Sequence, residues 1–442
     1  MKDEVSMPSL PLTGVRILDL TVMTAGPMGT MMLADLGADV VKIEEIEQGD
    51  LSRNLGTVFV AGESAQFLSQ NRNKRSVRLD LKHPRGREAF LRMVRQADVV
   101  AENFRPGTLD RLGIGYEALK QQRPDIILAS ISAFGQSGPY AHLPANDPVV
   151  QALSGLMAMT GEPGGPPARI GNPYPDFGAA MVLAFGIVTA LLHRNRTGQG
   201  QRISTSLLDG AIFASIPRDG ETLITGAAPP RLGSAHPTFV PYQNFRAGDG
   251  EWFFLACFTE KFWRSLCAAV DRPEWAQDPR FLRNPDRCTN RDILIPLLEA
   301  RFAEETRQVW LDRLGYHEVP AAPIQDLHEA LRRDPQVRHN GVLITQEHPT
   351  AGRIESLAAP IRMESTPAAY RRPPPILGQH SAEVLAEFGF GDAEIAALMG
   401  AGAARGAEQA DAGPTPPHKE QAVAPRHRVR LKAAASKKGS PS

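Results

Sequence analysis

Residues 15–44 constrain the fold more than any other stretch. An apolar run from Val15 to Leu20 is followed by the turn Ala25-Gly26-Pro27, a helical pattern from Met28 to Leu36 that Gly37 ends, and a second run from Asp39 to Glu44. Strand, helix and strand in that succession close as a right-handed crossover between parallel strands. The alternation returns. Gly86 to Gln96 reads as a helix with apolar Ala89, Phe90, Met93 and Val94, Ala97 to Glu102 as a strand, Asp110 to Gln122 as a helix and Ile126 to Ser132 as a strand. The class is therefore α/β, with a Rossmann-like parallel-sheet large domain. Such sheets take ligands where strand C-termini meet helix N-termini, and the first β-α turn lies there. Gly26 and Gly29 occupy that turn without the third glycine of the dinucleotide fingerprint, so NAD is not expected and the glycines can serve a tight turn alone.

A chain of 442 residues exceeds what one small core organises. We expect a large α/β domain over 11–225, completed by about 350–400. The Gly-, Pro- and Ala-rich 226–241 reads as a linker, and 242–345 as a smaller α+β domain with strand Trp252 to Cys257 and helices near 261–270, 290–303 and 306–314. Positive and negative side chains balance at 49 each, yet Lys419, Arg426, Arg428, Arg430, Lys432, Lys437 and Lys438 crowd the end. Residues 401–442 are thus expected to form a disordered basic tail, solvated rather than bound to nucleic acid. The run Met181 to Leu192 is shorter than the roughly 20 residues that span a bilayer, and Met1 to Leu10 has no signal-peptide pattern, so no membrane partner and a cytoplasmic location are expected. Cys257, Cys267 and Cys288 follow no zinc or redox spacing, and the histidines form no metal motif. No bound metal or permanent cofactor is expected.

One acid stands out. Asp176 follows Gly171-Asn172-Pro173-Tyr174-Pro175 and precedes the apolar run Phe177 to Leu192, the position of a helix N-cap. There a carboxylate faces free backbone N–H groups and the positive end of the helix dipole. A structural cap needs no more than this. The same geometry suits a nucleophile, because those N–H groups can steady an oxyanion formed beside it.

Further segments carry a resemblance. Val15-Arg16-Ile17-Leu18-Asp19-Leu20 with Ala25-Gly26-Pro27, then Leu36-Gly37-Ala38-Asp39-Val40-Val41-Lys42-Ile43-Glu44, Asn73-Lys74-Arg75-Ser76, Leu79-Asp80-Leu81-Lys82, Glu102-Asn103-Phe104-Arg105-Pro106-Gly107, Asp176-Phe177 and Thr197-Gly198-Gln199-Gly200-Gln201 resemble the class III CoA-transferase family, in the family's order. The likeness runs from about Pro11 to Phe390 and is most specific in the N-terminal half. It implies an interlocked homodimer, acyl-CoA and free carboxylic acids as substrates, and coenzyme A as the carried group. It also implies that Asp176 is the nucleophile, passing through acyl-aspartyl and aspartyl-CoA intermediates. Ala25, Lys82, Asn103 and Arg111 match positions that contact CoA, and Asp147 matches an acid near the nucleophile; Asp147 as a helix cap is the alternative. Thr24 replaces a glutamine of the formyl-CoA branch, which argues against formate or oxalate, while Glu45 and Pro144 replace an arginine and a lysine. In the α-methylacyl-CoA racemase branch a His and a Glu assist the aspartate, whereas here Asn146 and Thr259 stand at those places and neither is a ready base. A racemase and a non-catalytic acyl-CoA-binding scaffold remain the alternatives to a transferase.

Overall fold

The expected crossover is present: β1 (Arg16–Asp19), α1 (Ala25–Asp35) and β2 (Asp39–Glu44), with Ile17 opposite Val40 in parallel register. The computed structural model describes residues 9–407. After β2 come β3 (Lys74–Leu79), α2 (Pro84–Val94), β4 (Val99–Glu102), β5 (Ile127–Ser132), α3 (Asp147–Leu153), α4 (Tyr174–Thr197) and β6 (Arg202–Ser206). A second group follows, β7 (Tyr242–Arg246), β8 (Trp252–Ala256) and β9 (Ala321–Pro323), and the chain returns to the first with β10 (Ala404–Arg405). The main sheet has seven strands in the order β10-β3-β2-β1-β4-β5-β6, all pairs parallel except the edge pair β10–β3.

Parallel strands need cover on both faces. Alternate residues divide accordingly. Leu18, Val41, Val77, Val100 and Leu128 pack with Phe90 and Met93 of α2 on one face. Ile17, Val40, Val99, Ile127 and Ala129 pack with Leu33 of α1 and with Ala179, Leu183 and Ile187 of α4 on the other. Residues 240–319 build a core of their own around Phe245, Phe253, Trp263, Phe302 and Trp310. Leu385, Phe388 and Phe390 return to the α2 face of the main sheet.

Three expectations are corrected. The single helix over 110–122 is two short ones, Thr108–Arg111 and Tyr116–Gln122, because Gly113 takes φ 72°, in the left-handed region where a helix stops. The tail does not begin at 401: Ala403 and Ala404 are buried, Ala404 pairs with Leu79 at the sheet edge, and Arg405 pairs with Glu47. The rest of that expected tail, 408–442, lies outside the described residues. Finally, α4 extends beyond the apolar run on both sides to 24 residues, and by length and composition alone it meets the requirement for crossing a membrane. A central helix of a globular fold meets the same requirement, and α4 buries Ala179, Ala180, Leu183, Ile187 and Leu191.

Candidate active site

Both α1 and α4 run antiparallel to the strands they connect, so their first turns lie at the C-terminal edge of the sheet. Gly29 lets them pack closely: a Cβ there would stand 2.9 Å from the Ala180 carbonyl oxygen. Gly26 has a similar reason, since a Cβ would come within 2.3 Å of Thr21 Cβ. The turn between β1 and α1 is held by side chains from three directions. Lys42 Nζ donates to Thr21 O (2.7 Å), and the Asn103 amide accepts from Val22 N and donates to Val22 O (2.8 Å each). Asp50 accepts from Met23 N (2.9 Å), and Met23 adopts the left-handed φ of 69°. A β-branched or bulky residue rarely holds that conformation without such bracing.

Asp176 does not cap α4. The helix begins at Tyr174 with Pro173 as its N-cap, and Asp176 is the third residue of the first turn. Pro175 explains the difference, because a proline fits the first turn, where its missing N–H would have had no partner. Asp147 does not cap α3 either; Asn146 holds that position, and Asp147 is the first helical residue. Its buried carboxylate works across elements. One oxygen accepts from Asp176 N (3.2 Å) and the other from Gln151 Nε2 (2.6 Å). The two acids are thus brought together. Burial, and second the negative charge of Asp147, push Asp176 up from the ordinary 3.8 to about 7. Near neutral pH such a group switches between a proton carrier and a poorly solvated, basic carboxylate.

The other expected residues gather along the same strand edge. A cavity of about 310 Å³ has apolar walls of Leu20, Val22, Leu81, Phe104 and Leu112, with Lys82 and Glu45 among its lining. Arg111 turns back to Thr108 Oγ1 (2.8 Å), a residue that also lines the cavity. Asn103 braces Val22 at that wall, and Ala25 is buried at the start of α1. Glu45 accepts from Glu47 N and Gln48 N (2.9 and 2.8 Å) and so shapes its own loop. Thr259, at the place of the racemase glutamate, caps a helix by accepting from Phe262 N. The sequence reading missed Gln151, although its spacing of four from Asp147 is the signature of neighbours on one helix face.

Comparison with known proteins identifies the family. The model of "CoA-transferase family III" matches residues 12–381. The chain is 38% identical to a succinyl-CoA:glutarate CoA-transferase of Mus musculus, over 85% of this chain and 86% of that one. It is 39% identical to an acetyl-CoA:oxalate CoA-transferase of Acetobacter aceti, over 86% and 96%. A solved CAIB/BAIF family protein from Brucella suis superposes with a TM-score of 0.78 at 36% identity, covering 86% of this chain and all of that one. A family match across most of the chain, with relatives of this identity and coverage, means that the chain belongs to CoA-transferase family III and is a CoA-transferase.

Proposed function

We propose that Asp176 carries the acyl group. Its ionised carboxylate attacks the donor thioester carbonyl, giving an acyl-aspartyl anhydride and CoA thiolate. The thiolate attacks the aspartyl carbonyl, the donor acid leaves as a carboxylate, and an aspartyl-CoA thioester remains. An acceptor carboxylate then displaces the thiolate to form a new anhydride, and the thiolate takes the new acyl group, regenerating Asp176. No bond energy is lost to water at any step. The observation that carries this reading is Asp176 itself, placed in the first turn of α4 and pushed to about 7 by burial and by Asp147. A carboxylate made more basic by desolvation is the better nucleophile once ionised.

CoA would lie along the strand edge, its apolar arm against Leu81 and Phe104, with Lys82 and Arg111 toward its phosphates and Asn103 and Ala25 at the turn. The named relatives share a dicarboxylic acid, so we propose this class as acceptor. A relative named for oxalate returns that acid to the panel despite Thr24. The test is incubation with acyl-CoA and hydroxylamine, followed by mass spectrometry. A hydroxamate at position 176 is expected, and an Asp176→Ala protein with undiminished transfer refutes the assignment.

We also propose a homodimer in the cytoplasm. Phe185 (74% exposed), Phe213 (72%), Leu223 (81%) and Ile224 (87%) leave a broad apolar surface on and after α4 that a second copy would cover. Sedimentation that finds only monomer at micromolar concentration refutes the dimer. Three unpaired cysteines agree with a reducing compartment. Cell fractionation tests the location.

A further inference from the structure

We propose that Gln151 is a positioning residue of the transfer reaction, fixing the nucleophile helix through Asp147. This inference rests on the reading of Asp176 as nucleophile. Gln151 is fully buried and makes two hydrogen bonds with its side-chain amide. Its Oε1 accepts from Ile170 N (2.8 Å), and its Nε2 donates to Asp147 Oδ1 (2.6 Å). Asp147 Oδ2 in turn accepts from Asp176 N (3.2 Å). The result is a relay of three bonds from Ile170, four residues before α4, to the third residue of that helix.

Both ends of the relay are backbone N–H groups, which can only donate. Gln151 must therefore turn its oxygen toward Ile170 and its nitrogen toward Asp147, so the orientation of the amide is dictated and not a matter of choice. The side chain at 147 must then accept at both oxygens. A carboxylate does this; an asparagine would set its own NH₂ against that of Gln151. The relay thus explains why an acid stands at 147, close enough to oppose ionisation of Asp176. It also joins the Gly- and Pro-rich segment 161–173 to the backbone of Asp176, whose carboxylate must meet a thioester carbonyl and later present its own carbonyl to the thiolate. Errors of about 1 Å in such placements cost on the order of 100-fold in rate.

Gln151→Met fills the same volume and removes both bonds. The expected result is a fall in kcat of about 10- to 100-fold with KM for acyl-CoA changed less than about threefold, since the cavity at the strand edge is untouched. The second measurement exchanges the polarity of the pair. Gln151→Glu combined with Asp147→Asn satisfies all three bonds again: Ile170 N–H and the introduced amide NH₂ both donate to the introduced carboxylate, and Asp176 N–H donates to the introduced amide oxygen. We expect Gln151→Glu and Asp147→Asn each to lose activity and the double variant to regain at least about tenfold over the weaker single. A Gln151→Met enzyme with wild-type kcat, or a double variant no better than the weaker single, overturns the proposal. If the methionine variant does not fold, the double variant decides alone. Trapping in the wild-type enzyme separates the two readings: an adduct at Asp176 with an inert Gln151 refutes only the positioning role, whereas no adduct at 176 refutes the nucleophile.

Discussion

Two acids at the C-terminal edge of the same sheet have opposite fates. Asp19, at the end of β1, is fully buried and accepts from Thr21 N (3.0 Å), Thr30 Oγ1 (2.9 Å) and Lys74 Nζ (2.9 Å). Burial pushes its carboxyl up, but Lys74, Lys42 and the Thr21 bond together bring it down to about 2. For Asp176 burial acts in the same direction, and its charged neighbour is another acid, so the group rises to about 7. The difference lies in the partners. Where the fold supplies counter-charges the acid is held ionised and locks β1 to β3; where a like charge adds to burial, the acid keeps its proton to near neutral pH.

Asp19→Asn is the largest break. It leaves the buried Lys74 ammonium without its carboxylate, and stability should fall by about 3–5 kcal/mol near pH 7, read from the denaturant midpoint. The native Asp19 group titrates below its ordinary 3.8, so its contribution is present above that pH and is lost only as pH falls toward about 2. Asp176→Asn should do the reverse. A raised group stabilises the fold fully below 3.8 and loses that contribution as pH rises through about 7. The variant should therefore gain on wild type between those values and exceed it by on the order of 2 kcal/mol at pH 8, a figure reduced for the partial exposure of Asp176. Parallel pH profiles of the two proteins would show that Asp176 is not under strain.

Gly29→Ala asks whether the contact between α1 and α4 holds the two regions in place. The added carbon meets a backbone oxygen at 2.9 Å, which no rotamer relieves, so the helices must part. A loss of about 1–3 kcal/mol is expected, with kcat falling more than stability because α4 carries Asp176. An unchanged midpoint in thermal unfolding would mean that the helices slide without cost.

The strand edge was legible because β1, β2, β4 and β5 are apolar runs set between helical patterns, and period alone sorts them. The first turn of α4 was legible to within three residues; proline at 175 reads equally as a stop and as a first-turn residue, and here it lies inside the first turn. Asn103 was expected to contact CoA, and it also braces Val22, a contact 81 residues away in sequence that no local pattern reveals. Asp147 and Gln151 form a local pair, yet their meaning comes from Ile170 and Asp176, which approach only once α3 and α4 have packed on the sheet.

The finest test separates the two causes of the rise at Asp176. Burial is the larger and Asp147 the smaller, so Asp147→Asn should move the acid limb of the rate profile only part of the way from about 7 toward the ordinary 3.8. Single-turnover measurement isolates acyl transfer to the enzyme from product release. A limb that stays near 7 would mean that the Asp147 charge is not felt across the hydrogen bond to Asp176 N. A limb that drops to the ordinary carboxylate range would make the like-charge pair, rather than the dry pocket, the source of reactivity. Only the intermediate shift keeps both the contrast with Asp19 and the order of the two causes.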